Sequence, residues 1–130
     1  MKLSIIIPVY NEKSTIRQLL EKVTSLDIEK EIIIIDDSST DGTREILGST
    51  PNVNNYKILY HEKNQGKGRA IRTGLAEATG DYTVIQDADL EYDPQDLVKM
   101  FSYIRANNLE VLYGSRRLNK DNEKYAGLSY

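Results

Sequence analysis

Glu31-Ile32-Ile33-Ile34-Ile35-Asp36-Asp37 sets four consecutive isoleucines against two carboxylates. A run this short, continuous and β-branched reads as a buried strand, because a strand with one wet face alternates apolar and polar residues. The acids mark where it leaves the core. Upstream, Leu3 to Val9 has the same character, and Pro8 marks its end. Between the two runs, Ile16, Leu19, Leu20, Val23 and Leu26 recur at spacings of three and four, which is one helix face within residues 12–26.

The same alternation continues toward the carboxyl terminus. Ser38-Ser39-Thr40-Asp41-Gly42-Thr43 is rich in turn and N-cap residues, and a short helix is expected from Thr43 to Leu47. Ser49 to Asn55 reads as a surface loop and Tyr56 to His61 as a third strand. The basic loop Lys63 to Arg69 opens a helix whose apolar face is Ile71, Gly74, Leu75 and Ala78, closed by Gly80 as a left-handed C-cap. Asp81 to Gln86 is the fourth strand. Asp93 at N-cap and Pro94 at N1 start a helix with a buried stripe of Leu97, Val98, Phe101 and Ile104. Glu110 to Tyr113 reads as a fifth strand, and Leu118 to Tyr130 is polar without a period.

Strands alternating with helices at this spacing predict an α/β fold, a mostly parallel sheet with helices on both faces. Such sheets bind ligands outside the carboxyl ends of their strands, where the strand order reverses. The unusual polar residues fall at those ends: Tyr10 to Glu12, Asp36 and Asp37, Asp87 to Glu91, and Arg116 after the fifth strand.

Composition narrows the chemistry. At 130 residues the chain fits one domain, which buries roughly two thirds of its unfolded surface. It has no cysteine, which excludes disulfides and thiolate metal sites and fits a reducing, cytoplasmic setting. With 17 basic and 20 acidic residues and a net charge of −3, it has no global attraction for nucleic acid or an anionic membrane. Phosphate binding must be local. The amino-terminal apolar run is too short for a signal peptide, and nothing approaches the roughly 18 apolar residues of a membrane span.

Val84-Ile85-Gln86-Asp87-Ala88-Asp89-Leu90-Glu91 ends the fourth strand in alternating carboxylates at 87, 89 and 91. Side chains at i, i+2 and i+4 of an extended segment point to one side, so these three converge as the strand opens. Such a cluster repels itself unless a cation sits in it, and hard ions such as Mg²⁺ or Mn²⁺ take carboxylate, water and phosphate oxygens. Acids that merely end a strand and cap a turn are the competing reading.

Ser4-Ile-Ile-Ile-Pro-Val-Tyr-Asn-Glu12, Ile35-Asp-Asp-Ser-Ser-Thr-Asp-Gly-Thr43, Asn64-Gln-Gly-Lys-Gly-Arg-Ala-Ile71, Gly80-Asp-Tyr-Thr-Val-Ile-Gln-Asp-Ala-Asp-Leu-Glu91 and Gly114-Ser-Arg116 resemble, in order, the motifs of family 2 glycosyltransferases with the GT-A fold. Within that group the chain is most similar to the dolichyl-phosphate mannose synthase and polyprenyl-phosphate glycosyltransferase branch. The resemblance implies a Rossmann-like GT-A nucleotide-binding half over residues 1–117, with 118–130 beginning an acceptor-side region. It implies that Pro8, Tyr10 and Glu12 wall the nucleotide pocket, Tyr10 near the base and Glu12 near the ribose, and that Asp37 hydrogen-bonds the base. Asp36 is expected to orient the Ser38 to Gly42 loop.

The resemblance further implies that Asp87, Asp89 and Glu91 match the DxD motif and its following acid. They would bind the Mg²⁺ or Mn²⁺ that bridges the diphosphate, with Asp89 acting at the catalytic centre and Arg116 engaging an acceptor phosphate. Lys67 is a candidate for the donor phosphates, although Gly-Lys-Gly here is not a Walker motif. His61 is read as structural. The implied activity is metal-dependent, inverting transfer of a sugar from a nucleoside-diphosphate sugar, of GDP-mannose or UDP-glucose type, to a polyprenyl or dolichyl phosphate. The alternative is a nucleotide- and metal-binding module without transfer. Family catalytic domains are longer than this chain, so the expected partners include a second copy or a complementing chain. Contact with the cytoplasmic face of a membrane is expected only through the lipid acceptor or the missing region.

Overall fold

In a computed structural model of the chain, four parallel strands pair in the order β3-β2-β1-β4: β1 (Leu3–Val9), β2 (Lys30–Asp36), β3 (Tyr56–Tyr60) and β4 (Tyr82–Ile85). The structure describes residues 1–50, 56–90, 93–107, 111–114 and 125–128. Helices α1 (Ile16–Thr24), α2 (Thr43–Ser49) and α3 (Lys67–Glu77) make the successive crossovers. Parallel strands require such connections, because a hairpin can only return the chain antiparallel.

The isoleucine runs meet in the middle. Ile5, Ile6 and Ile7 of β1 lie in register with Ile32, Ile33 and Ile34 of β2, and all six are buried. Full burial of one such side chain is worth about 1.5–3 kcal/mol. On one face Ile6, Ile33 and Ile35 pack with Ala70 of α3, and Leu59 and Ala78 flank them. The opposite face, with Ile5, Ile7, Val9, Ile32 and Ile34, is equally buried. Helices α1 and α2 pack on each other and bury Ile16, Leu19, Leu20, Val23 and Leu47.

Helix α3 turns a different side to the sheet from the one its larger apolar residues suggest. Ala70 and Gly74 are buried, whereas Leu75 is 49% exposed. The reason is distance: a Cβ on Gly74 would stand 2.7 Å from Ile6 Cγ2 and 2.8 Å from Ile35 Cδ1, so only small residues fit under the helix. Nor is Gly80 a left-handed cap. The helix ends at Ala78 in extended conformation, and the positive-φ glycines of the described residues are Gly42 and Gly66. Gly80 instead passes against β1, where a Cβ would stand 2.6 Å from Ser4 Oγ and 2.8 Å from the Lys2 carbonyl.

Residues Met1–Pro94 form one compact unit and Gln95–Tyr130 a second. In the second, α4 (Gln95–Asn107) buries Leu97, Phe101 and Ile104. The fifth strand, β5 (Val111–Gly114), does not extend the parallel sheet: it pairs antiparallel with β6 (Tyr125–Leu128). The segment that reads as aperiodic therefore contributes a strand, one of only four residues and too short to display a period. The expected boundary at 117/118 lies outside the described residues. Among the described residues, no helix is long and apolar enough to cross a membrane.

Candidate functional site

Strand order reverses between β1 and β4. From β1 the chain steps outward through β2 to β3, then returns to the other side of β1 to form β4. A crevice is expected outside the carboxyl ends of strands at such a point, and the hydrogen bonds show how it opens. The Ile6 carbonyl accepts from Gln86 N–H at 2.9 Å, and Val9 O accepts from Asp37 N–H at 2.8 Å. Polar groups of β1 thus point alternately to β4 and to β2. Pro8 falls on the β4 side and has no N–H to give, so the ladder to β4 ends and the strands part.

The loops at this rim are clasped together. Asn11 N–H donates to Ser39 Oγ at 2.9 Å, Thr40 N–H to Asn11 Oδ1 at 2.8 Å, Glu12 N–H to Thr43 Oγ1 at 3.0 Å and Lys13 N–H to Asp41 Oδ2 at 3.2 Å. These four bonds join the turn after β1 to the turn after β2. Among the described residues, the non-glycine residues with positive φ are Asn11 (53°), Ser38 (65°) and Leu90 (63°), one in each of the loops that follow β1, β2 and β4. A left-handed backbone costs a residue such as leucine roughly 1–2 kcal/mol, and such strain concentrates at functional sites.

The two acids after β2 have separate tasks. Asp36 is fully buried, accepts from Arg44 Nε at 2.9 Å and from Ser39 N–H at 3.3 Å, and so orients the Ser38 to Gly42 loop. Arg44 also donates to the His61 carbonyl at 2.7 Å and lies over the Tyr60 ring at 4.9 Å. Asp37 is buried too, and its carboxylate accepts from His61 Nδ1 at 2.8 Å, Gln65 N–H at 2.9 Å and Gly66 N–H at 2.8 Å. Burial pushes its pKa up, but the bonds from His61, Gln65 and Gly66 outweigh that, and the carboxyl lies below its ordinary value. Gly66 takes φ of 91°, which a side chain would resist, and this turn delivers the start of α3. The other ring nitrogen of His61 meets Thr73 Oγ1 at 2.9 Å.

The acidic turn after β4 is fixed by a residue with no motif of its own. Thr15 stands at the N-cap of α1 but makes no side-chain cap; its hydroxyl donates to Ala88 O at 2.7 Å and lies 3.0 Å from Glu12 Oε2. Ala88 is buried, with half-buried Asp87 and exposed Asp89 on either side. Because β4 ends at Ile85, these residues lie on a turn and not on an extended strand, and simple alternation does not bring the carboxylates together. Asp87 Oδ1 accepts from Lys67 Nζ at 2.5 Å.

Of the residues singled out from the sequence, Pro8, Tyr10, Glu12, Asp37, Lys67, Asp87 and Asp89 all lie at this rim, and the Tyr10 ring is 47% exposed. Glu91 and Arg116 lie outside the described residues. Among the described residues, no three carboxylate or imidazole groups gather around one point. The Thr15 tie and the His61–Asp37 pair are invisible to motif reading. The second follows from the strand register, in which Asp36 and Tyr60 are partners and the residues after them, Asp37 and His61, meet.

Comparison with known proteins places this geometry. The family described as Glycosyl transferase family 2 matches residues 4–130. A dolichol-phosphate mannosyltransferase of Pyrococcus furiosus is 33% identical over 118 residues, covering 89% of this chain and 33% of the relative. Among solved structures, Staphylococcus aureus TarS in complex with UDP-GlcNAc superposes with a TM-score of 0.74 at 27% identity, covering 92% of this chain and 36% of that one. The mannosyltransferase PcManGT from Pyrobaculum calidifontis, in complex with GDP-Man and Mn²⁺, superposes with a TM-score of 0.66 at 28% identity, covering 78% and 32%. The chain spans about a third of the length of these proteins. With a parallel sheet whose strand order reverses beside β1, and a family match that begins in β1 and runs to Tyr130, the chain belongs to glycosyl transferase family 2.

Proposed function

We propose that this chain supplies the donor side of a metal-dependent, inverting glycosyltransferase that passes a sugar from a nucleoside diphosphate to a polyprenyl phosphate. The observation that supports this reading is that the loops after β1 and β4 and the start of α3 meet where the strand order reverses: Thr15 holds the Ala88 carbonyl and Lys67 pairs with Asp87. In this reading Pro8, Tyr10 and Glu12 wall the nucleotide pocket, with the exposed Tyr10 ring available to stack on a base. Asp37 uses three of the roughly four acceptor sites of a carboxylate on His61, Gln65 and Gly66 of the segment between β3 and α3, which leaves one for a base N–H.

The donor set suits a divalent ion. Asp87 and Asp89 offer hard oxygens on one turn, too few to cage an ion unaided, and Mg²⁺ or Mn²⁺ characteristically completes its shell with water and phosphate oxygens. Glu91 would add to that set. When bound, such an ion offsets the charge that builds on the leaving diphosphate. The chain's own residues orient the donor: Lys67 reaches the phosphates, and Asp87 and Asp89 present their carboxylates from the turn that Thr15 pins in place. An acceptor phosphate is mostly ionised at neutral pH, its second pKa being about 6, so it needs no general base. Its oxygen attacks the anomeric carbon from the face opposite the diphosphate, the new carbon–oxygen bond forms as the old one breaks, and the diphosphate departs with the electron pair. Arg116 is assigned to the acceptor phosphate, and the reaction is placed where cytoplasm meets the membrane that holds the lipid.

The P. furiosus relative is named for a dolichol-phosphate acceptor, and PcManGT is seen with GDP-Man and Mn²⁺, which supports both halves of the assignment. The test is incubation with GDP-mannose or UDP-glucose, Mn²⁺ and a polyprenyl phosphate, followed by extraction of lipid-linked sugar. Transfer that is lost in Asp89→Ala is the expected result. Nucleotide binding without transfer assigns the chain to donor binding alone, and neither binding nor transfer overturns the reading.

A further inference from the structure

Lys67 begins α3, yet its position is unfavourable for that helix. The amino-terminal end of a helix carries partial positive charge and favours acids, and the first turn of α3 has Lys67 and Arg69 with no acid. Helix stability therefore does not explain the lysine. Its position is nevertheless closely set. Asp37 fixes the preceding turn through Gln65 and Gly66, and Ala70 and Gly74 anchor α3 to the central strands, so the Lys67 ammonium reaches Asp87 Oδ1 at 2.5 Å. Both partners are accessible, 60% exposed for Lys67 and 28% for Asp87. An exposed pair of this kind is weak, and its exchange for another partner costs little.

We propose that Lys67 is a tethered counter-ion: it neutralises Asp87 while the donor site is empty and moves to the diphosphate when a divalent cation takes Asp87. This rests on the metal reading given above. An ammonium and a divalent cation repel each other, so they compete for the same carboxylate oxygen. A diphosphate relieves that competition by drawing Lys67 away. Cation and nucleotide binding are then coupled, and by linkage each strengthens the other to the same degree. The lysine lowers affinity for the bare ion and raises affinity for the ion together with its nucleotide. The site is thereby biased toward taking its cation together with the donor.

The test is Mn²⁺ binding followed by electron paramagnetic resonance of the free ion, with and without GDP and UDP, in the parent, Lys67→Met, Lys67→Arg and Asp87→Asn proteins. Lys67→Met is expected to bind bare Mn²⁺ about two- to fivefold more tightly than the parent. It is also expected to gain less Mn²⁺ affinity from added nucleotide than the parent does. Lys67→Arg, which keeps the charge, should bind bare Mn²⁺ as the parent does. The proposal is overturned if Asp87→Asn weakens Mn²⁺ binding while Lys67→Met leaves bare-ion affinity and nucleotide coupling at parental values. If Asp87→Asn binds Mn²⁺ as tightly as the parent, the metal assignment of Asp87 itself falls, and the counter-ion role falls with it.

Discussion

His61 links the ends of β2 and β3 to α3, because one ring nitrogen meets the buried carboxylate of Asp37 and the other meets Thr73. Removing the ring takes away one of the three donors to Asp37, keeps the two backbone N–H groups, and leaves a hole beside a buried charge. His61→Ala is expected to cost about 1–3 kcal/mol of stability, the range for removing one partner of a buried polar group. His61→Asn places an amide N–H near the position of Nδ1 and should recover about half of that loss. Urea denaturation of the two variants decides the matter: equal losses would mean that the ring matters for packing and not for the bond to Asp37.

At the scale of the element, α3 shows how a helix gives up its own preferences to the sheet beneath it. Glycine in a helix interior costs about 1 kcal/mol relative to alanine, and on that ground Gly74→Ala should stabilise. The contacts argue the reverse. The added methyl would meet Ile6 Cγ2 at 2.7 Å and Ile35 Cδ1 at 2.8 Å, both in fully buried side chains of central strands. Overpacking of this kind typically costs about 1–3 kcal/mol, so Gly74→Ala is expected to lower the unfolding midpoint despite its better helix propensity. Thermal denaturation measures the sign directly. The same subordination appears in α1, where the Thr15 hydroxyl leaves its helix uncapped and holds the Ala88 carbonyl beneath the acidic turn.

Across the whole molecule, the two ends of the parallel sheet carry opposite charge arrangements. The carboxyl-end rim carries Asp37, Asp87 and Asp89, whereas at the other end Glu31 accepts hydrogen bonds from Ser4 and from the Thr79 amide and hydroxyl, with the Lys2 ammonium paired at 3.7 Å. Burial raises the Glu31 pKa, but these partners more than reverse it and hold the carboxyl at about 2. A carboxylate depressed in the folded state stabilises above its unfolded value and loses that contribution as pH falls through the folded one. Stability should therefore decline from about pH 4.5 toward pH 2 as this group loses its contribution. Denaturation as a function of pH should show a shallower acid limb in Glu31→Gln. Asp37 adds a contribution of the same sign.

How far the residues alone reveal the protein depends on range. The isoleucine runs of β1 and β2 announced buried strands, because burial on both faces leaves no position for a polar residue, and the periodicity of α1 followed from its single buried face. The order of motifs was enough to place the family. The sequence could not tell which side of α3 faces the sheet, since that is settled by the clearance above Ile6 and Ile35, nor that β5 pairs with β6, since a four-residue strand has no period to read. The partners of Asp37, Asp87 and Ala88 lie 20 to 73 residues away in sequence. The sequence by itself determined the elements and the acids that end them, because these depend on local spacing and burial. Only the tertiary structure decided what those acids touch, because strand order and register bring distant loops to one rim.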